Sequence, residues 1–329
     1  MNKAGTLIIS LDFELAWGIR DMANFETSKK NLEGVQSAIP KLLDVFDRYD
    51  IKATFAVVGF LFNQNKQELI QNIPNITPKY LDKNLSPYTN YIANLPNTPK
   101  DTLHFCPSLI QKIRDTYKHE ISSHTYSHYY CLEEGQSPEE FEADLVLNKR
   151  AGLHNGFTIE SIVFPRNQYS DSYLELCKKH GIKSYRGNEK SWFNKPTAFS
   201  KLSIFTRGIR LLDSYINLSG FNSYPLKELY GQTPYNIRAS RFLRPHSPML
   251  SLFDKLKLKR ICKEMTHAAI SGEIYHLWWH PHNFGANQEK NFIFLESILE
   301  HYKKLNKTHQ FSNATMSSIS NEIELNEFN

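Results

Sequence analysis

The segment KHEISSHTYSH, residues 118–128, contains two histidines four positions apart, His124 and His128. On one helical turn or in a tight loop, this spacing places two imidazoles on the same side of the chain, within reach of one ion. The pair alone is a weak signal, because ordinary surface and core histidines also show this spacing. Thr125 follows the first histidine where the metalloprotease helix pattern requires Glu. The segment therefore indicates a metal site of another kind.

An acidic motif near the N-terminus offers the carboxylates that a two-histidine site needs. Asp12, Phe13 and Glu14 follow the apolar run TLIISL at residues 6–11, which is typical of a strand buried on both faces of a parallel sheet. Residues i and i+2 of a strand face the same side, so both acids can enter one site. One acid can then act as ligand and the other as base. The alternative is a helix cap and a solvated charge.

Bulk composition excludes several classes of protein. The chain has 329 residues, of which 40% are hydrophobic and 22% charged, values typical of a globular protein. Its net charge of +5 is spread along the chain and does not suggest a nucleic-acid partner. We find no signal-peptide core and no apolar run of the roughly 20 residues that a membrane span needs. Four cysteines without zinc-knuckle spacing predict reduced thiols in a cytoplasmic protein.

Strand and helix patterns alternate along the chain, which predicts βαβ units and a parallel sheet. The expected strands are 6–11, 53–58, 120–123, 161–164, 182–185 and 273–279, and the expected helices 31–49, 109–117, 137–151, 171–180, 251–271 and 288–304. Two irregular stretches, 63–107 and 188–250, are expected to be insertions. The sequence thus predicts one catalytic domain over residues 1–305, followed by a polar, mobile tail over 306–329.

Four polar residues share one position relative to the predicted strands. Asp12, His124, Arg166 and His280 each stand just after the carboxyl end of a predicted strand. In barrels and open α/β sheets these ends converge on one face, where the chemistry is built. We therefore expect a single shared site. The common position of all four residues is stronger evidence for it than any one pair.

These motifs resemble the polysaccharide (chitin and peptidoglycan) deacetylases, metal-dependent carbohydrate esterases that share the nodulation-protein B homology domain. The matching pieces, in the family's order, are SLDFE at 10–14, KATFAVVG at 52–59, HEISSHTYSH at 119–128, VFPRNQY at 163–169 and LWWHPHNF at 277–284. The resemblance implies a distorted (β/α) barrel with fewer than eight full repeats and with loop insertions. It also implies removal of an N-acetyl group from an amino sugar of a surface polysaccharide or glycoconjugate precursor. The implied cofactor is one divalent metal, foremost Zn²⁺, with Co²⁺, Mn²⁺, Ni²⁺ or Fe²⁺ as alternatives.

The same resemblance implies roles for individual residues. Glu14, His124 and His128 are the expected metal ligands, which leaves open positions for water and the substrate carbonyl. Asp12 is the expected base, and His280 the expected acid that protonates the leaving amine. The sequence leaves open whether a neighbouring histidine takes the role of the acid; these alternatives are His276 and His282.

Further candidates surround this set. Arg166 is expected to pair with Asp12 and to keep it ionised and oriented. A backbone N–H near Tyr169 is expected to help stabilise the oxyanion. The candidate substrate contacts are Trp192, Trp279 and His282. Tryptophans in such positions are more often core or pocket wall than sugar platforms.

One departure from the family pattern keeps other functions open. Many members have two adjacent aspartates, whereas here Phe13 separates Asp12 from Glu14. Relatives that open cyclic imides or amides space their acids in this way, so a cyclic-amide hydrolase is an alternative. A catalytically silent carbohydrate-binding protein is another. A two-histidine, one-carboxylate iron oxygenase would use the same ligands, but its usual context is a β-rich jelly roll. The oligomeric state is left open.

Overall fold

The computed structural model describes residues 4–22, 25–98, 101–116, 118–198 and 203–327. The described strands are β1 (Thr6–Phe13), β2 (Thr54–Val57), β3 (Glu120–Ser123), β4 (Ser161–Ile162), β5 (Ser184–Tyr185), β6 (Tyr224–Pro225), β7 (Tyr235–Asn236), β8 (Arg241–Phe242), β9 (Glu273–Trp279) and β10 (Ser312–Ala314). The described α-helices are α1 (Phe25–Glu33), α2 (Val35–Arg48), α3 (Lys66–Gln71), α4 (Ile92–Asn94), α5 (Pro107–Asp115), α6 (Pro138–His154), α7 (Asp171–Lys179), α8 (Ile204–Asp213), α9 (Asp254–Ser271), α10 (Gln288–His309) and α11 (Met316–Glu327). Short 3-10 turns connect several of these elements.

Strand β1 lies at the centre of the sheet. It pairs in parallel with β2, where Asp12 lies opposite Ala56, and with β9, where Leu11 lies opposite Trp279. Every residue of β1 after Thr6 is buried, as expected for a parallel strand that is covered on both faces. The strand extends two residues beyond the predicted end, so Asp12 lies within β1 and not after it.

The strands form a curled sheet in the order β6-β9-β1-β2-β3-β4-β5-β7, with β10 on β1 and β8 on β9. All pairs are parallel except β6 with β9. Residues 235–243 connect β5 with β9, because Ile237 N–H donates to the Tyr185 carbonyl and Leu243 N–H to the Trp278 carbonyl. The predicted (β/α) barrel with fewer than eight full repeats is thereby confirmed.

Helices cover the sheet with apolar faces that follow from the sequence. In α2, Val35, Ile39, Leu42 and Phe46 are buried, which is the spacing of one helical face. The predicted capping box of α6 is present, with the side chains of Ser137 and Glu140 each bonded to the other's backbone. No helix in the described part of the chain is both long and apolar enough to cross a membrane.

Two predicted irregular segments contain regular structure. The predicted insertion 188–250 contains β6, β7 and β8, which belong to the main sheet. The expected polar tail after residue 306 contains the end of α10, then β10 and α11. Its apolar residues Met316, Ile319 and Ile323 are buried and lie on one helical face because of their spacing. Short strands and a narrow apolar stripe within polar sequence explain why the pattern was missed.

Candidate active site

Three potential metal ligands converge at the carboxyl ends of β1 and β3. Glu14 follows β1, and His124 and His128 follow β3. Glu14 Oε2 lies 3.2 Å from His124 Nε2 and 3.0 Å from His128 Nε2. All three residues are buried, and their potential ligand atoms lie within 4.8 Å of one another. The structure therefore brings together the three residues that the sequence selected as ligands.

Helix α6 holds the histidine loop in place. The carboxylate of Asp144 accepts hydrogen bonds from Tyr126 N–H at 2.5 Å, Ser127 N–H at 3.0 Å and the Ser127 hydroxyl. One turn later, Asn148 Nδ2 donates to the Thr125 carbonyl at 2.9 Å. Thr125 adopts φ 61°, a left-handed conformation that costs energy in a β-branched residue and persists only where its surroundings impose it. The sequence motifs did not single out Asp144 and Asn148, although their spacing of four places both on one helical face.

The donor set of this cluster fits a cation. His124 Nδ1 lies 2.8 Å from the Val163 carbonyl, which can only accept, so the proton of a neutral imidazole is on Nδ1. The Nε2 lone pair of His124 then faces the carboxylate of Glu14, which also has only acceptor atoms. His128 Nδ1 contacts the Tyr130 hydroxyl at 3.2 Å, and burial lowers the pKa of His128 to about 4. Converging lone pairs and one carboxylate are the ligands that Zn²⁺ and similar ions bind.

A glycine makes room for the carboxylate of Glu14. A Cβ on Gly18 would lie 2.0 Å from Glu14 Cδ and 2.1 Å from its Oε1, so a larger residue would displace the carboxylate. Burial would raise the pKa of Glu14, but the surrounding imidazoles hold that pKa well below its usual value; these are His280, His124 and His128. Glu14 is therefore an ionised ligand held in one position.

Asp12 forms a buried bidentate ion pair with Arg186. Arg186 Nη1 and Nη2 lie 2.6 and 2.7 Å from the two carboxylate oxygens. The guanidinium also donates to Ser10 Oγ and Asn167 Oδ1, each at 3.0 Å, and lies 4.0 Å from the Trp278 ring centroid. Burial would raise the pKa of Asp12, but the charge and hydrogen bonds of Arg186 are the main reasons that it lies below its usual value. Asp12 is thus ionised and fixed in orientation.

This geometry corrects the prediction that Arg166 pairs with Asp12. Arg166 instead binds Asp21 at 2.5 Å and lies over the Tyr130 ring, 4.1 Å from its centroid. The reason is local, because Arg166 lies in a 3-10 turn after β4 with φ 55°, which carries its side chain away from Asp12. A signal for Arg186 existed, since it stands directly after the predicted strand 182–185. The strand-end argument therefore applies to Arg186 as well.

The three candidate histidines of the last motif lie in different environments. His280 Nε2 lies 3.6 Å from Glu14 Oε1 and 3.9 Å from Asp12 Oδ2, and its side chain is 22% exposed. His276 is fully buried and bonds Ser10 Oγ at 2.8 Å. The ring of His282 is stacked on that of His280, and burial lowers its pKa to about 4. His280 is the one of the three that is both close to the carboxylates and open to a substrate.

The remaining candidates lie away from the site or outside the described residues. Trp279 is fully buried and stacks on Phe284, with 5.6 Å between ring centroids, so its predicted contact with substrate is wrong. The alternation of strand β9 directs its neighbour Trp278 to the other face, where it lines a cavity. The Tyr169 ring packs against aromatic core residues. The side chain of Trp192 lies outside the described part of the structure.

Two solved structures with TM-scores above 0.5 share this fold. A crystal structure of a putative polysaccharide deacetylase from Mycobacterium smegmatis matches with a TM-score of 0.59 and 14% identity, covering 99% of this chain and 92% of that chain. The 4-alpha-glucanotransferase from Thermococcus litoralis matches with a TM-score of 0.52 and 8% identity, covering 96% of this chain and 40% of that chain. A CE4 family pseudoenzyme from Bacillus anthracis matches with a TM-score of 0.46 and 11% identity, covering 97% of this chain and 66% of that chain. No curated protein sequence matches significantly.

A family model described as polysaccharide deacetylase matches residues 25–185. This segment includes both histidines of the cluster, whereas Asp12, Glu14 and His280 lie outside it. The roles of those three residues therefore depend on the geometry described above. Residues 25–185, just under half of the chain, are therefore similar to the polysaccharide deacetylase family, and the two solved structures with TM-scores above 0.5 share the fold of the chain.

Proposed function

We propose that the protein is a metal-dependent hydrolase that removes the N-acetyl group from an amino sugar of a surface polysaccharide or glycoconjugate precursor. The observation that carries the proposal is the arrangement of Glu14, His124 and His128 beside the ion-paired Asp12 and the partly exposed His280. Ligands, base and acid thus lie around one point at the carboxyl edge of the sheet. This is where catalytic groups are found in barrel enzymes.

The ligand cluster would hold the ion that acts as electrophile. A divalent ion held by Glu14, His124 and His128 would activate water and polarise the acetyl carbonyl. The Val163 carbonyl and the Tyr130 hydroxyl hold the Nδ1 atoms of the two histidines, so both Nε2 atoms keep their direction. Such outer partners fix the tautomer and the ring orientation of metal-binding histidines.

Asp12 is the proposed general base and His280 the proposed general acid. Arg186 binds both oxygens of Asp12, and so orients the carboxylate that accepts the proton of the attacking water. His280 Nε2 lies near both carboxylates, and a protonated His280 can give its proton to the leaving nitrogen. Positioning of these groups before the reaction lowers the cost of reaching the transition state. A backbone N–H near Tyr169 remains our candidate for a second oxyanion donor.

The spacing of the two acids is also compatible with a second candidate function. Asp12 and Glu14 are separated by Phe13, which is the spacing in relatives that open cyclic imides or amides. The same groups would serve that reaction, because it also needs an activated water and a proton for a leaving nitrogen. A cyclic-amide substrate is therefore included in the test.

The test combines metal content with acetate release from a panel of N-acetylated sugars, free, nucleotide-linked and lipid-linked. We expect about one equivalent of divalent metal in the wild type, its loss in His124→Ala, and loss of acetate release in Asp12→Asn. The matched control is His309→Ala, which changes an exposed histidine at the C-terminal end of α10. This variant should behave like the wild type. Metal with turnover of a cyclic amide but no acetate would move the assignment to that reaction. A protein that binds no metal after zinc or cobalt is added would contradict the proposal.

A further inference from the structure

A cavity of about 220 Å³ lies directly beside the candidate active site. Its wall includes Asn167, which accepts a hydrogen bond from the arginine that binds Asp12. Trp278 and Phe242 also line it, and their ring centroids lie 5.7 and 5.9 Å from that of His280. The cavity and the reacting groups are therefore adjacent, with single side chains between them.

Two residues of the cavity wall, Asp213 and Arg241, belong to an internally neutralised cluster of four charges. Arg241 binds Asp213 and Glu264, each at 2.6 Å. Arg260 binds the same two acids at 3.0 and 3.3 Å. Two cations and two carboxylates therefore balance one another, and this cluster leaves no carboxylate to compensate other arginines.

Two more arginines of the wall bond only to neutral oxygens. Arg210, on α8, donates through Nε and Nη2 to the Phe193 carbonyl, at 2.8 and 2.6 Å. Arg244, just after β8, donates through Nε to Ser214 Oγ at 2.6 Å. Among the described residues, neither forms an ion pair with a carboxylate. Burial is the main cause that lowers the pKa of both guanidiniums, and the opposing effect of the nearby Glu189 is smaller.

Glu189 is the remaining acid in this wall, and its carboxyl group is partly protonated near neutral pH. Its carboxylate accepts a hydrogen bond from Asn194 Nδ2 at 2.8 Å, and burial raises its pKa to about 7. Lys195 also lines the cavity and is exposed. Near neutral pH the wall therefore carries an excess of positive charge, and the guanidinium groups offer the planar donors that bind carboxylate and phosphate oxygens.

From this arrangement we propose that the cavity is an anion-binding subsite of the substrate site. The substrate is an N-acetylated amino sugar bearing a phosphate or carboxylate group that Arg210 and Arg244 bind. This inference rests on the proposed deacetylase function and specifies its substrate class. The acetamido group lies at the metal cluster while the anionic group of the same substrate enters the cavity. The two arginines select the substrate and take no part in the proton transfers.

The test compares acetate release from N-acetylglucosamine, its 1-phosphate and an N-acetylated amino uronic acid. We expect kcat/KM to be at least about tenfold higher for one or both anionic sugars, since a charge-assisted hydrogen bond is worth about a factor of ten or more. In Arg244→Gln and Arg210→Gln the ratio of anionic to neutral kcat/KM should fall at least tenfold. The matched control is Arg114→Gln, an exposed arginine on α5, in which the ratio should stay at the wild-type value.

The outcomes separate this inference from the proposed function. A preference for the 1-phosphate identifies phosphate as the anion, and a preference for the uronic acid identifies carboxylate. Equal kcat/KM for neutral and anionic sugars, or a ratio unchanged in both arginine variants, would overturn the subsite while leaving the deacetylase standing. If no sugar releases acetate, the proposed function fails. Calorimetric titration with glucose 1-phosphate then still tests the subsite, which is overturned if the wild type and Arg244→Gln bind it equally.

Discussion

Replacing Arg186 by methionine tests the central ion pair of the site. Arg186 is fully buried and Asp12 is 4% exposed, so the substitution leaves a carboxylate in the interior without its cation. Methionine fills much of the space that the arginine stem occupies, and the main change is therefore electrostatic. Asn167 and Ser10 also lose the donors that reach them from Arg186. Each loss acts in the same direction, towards a less stable folded state.

The expected magnitude follows from the burial of both groups. Removing one partner of a buried ion pair costs about 3–5 kcal/mol, because the remaining charge is uncompensated. For a chain of this size we expect a decrease in melting temperature of about 4–7 °C. Adding Asp12→Asn removes the orphaned charge, so the double variant should recover about 2 kcal/mol relative to the sum of the single changes.

Urea unfolding of the wild type, both single variants and the double variant at pH 7 gives this coupling energy. Arg166→Met is the matched control, because the arginine that the sequence suggested for Asp12 binds Asp21 instead. Its effect should add to that of Asp12→Asn within about 0.5 kcal/mol, as for sites without a shared partner. A cost below about 1 kcal/mol for Arg186→Met would refute the reasoning. So would a larger coupling of Asp12 to Arg166 than to Arg186.

Three further changes have defined outcomes. Gly18→Ala should lower metal affinity at least about tenfold in a competition titration, because its Cβ would displace the ligand carboxylate; Gly208→Ala, which meets nothing within 4 Å, should not. Asp144→Asn should weaken metal binding by about 10–100-fold through the loosened histidine loop, and an unchanged affinity would contradict that role. Burial lowers the pKa of His119 to about 4. As pH falls below about 6.5, this histidine is therefore protonated in the unfolded state while it is still neutral in the folded state. Stability should decline from there to about pH 4 by at most about 3 kcal/mol, and His119→Gln should flatten this part of a urea-unfolding profile; an equally steep decline in the variant would argue against it.

Sequence patterns located most of the site because its signals are local. Asp12 and Glu14 share a side through the strand period, and His124 and His128 share one through their spacing of four. The capping box that begins α6 could be predicted in the same way, since Ser137 and Glu140 are three residues apart. Each of these signals involves a few neighbouring residues. Such patterns can be recognised without knowing how distant parts of the chain pack.

Pairings across the sheet could not be predicted with equal success. Arg166 and Arg186 both follow predicted strands, and nothing in the local sequence tells which guanidinium reaches Asp12. Trp278 and Trp279 are equally aromatic, and the register of β9 on β1 decides that Trp279 enters the core. The short strands β7 and β8 have only two residues each, too few to show a period.

The sequence by itself determined the alternation of strands and helices, the histidine loop and the acidic motif, because periodicity and spacing are properties of contiguous residues. Only the tertiary structure decided that Arg186 binds Asp12, that residues 235–243 connect β5 with β9, and that Arg210 and Arg244 share a cavity. The physical reason is that ion pairs, burial and cavities depend on distances between residues far apart in the chain. Those distances exist only after the strands have paired and the helices have packed on them.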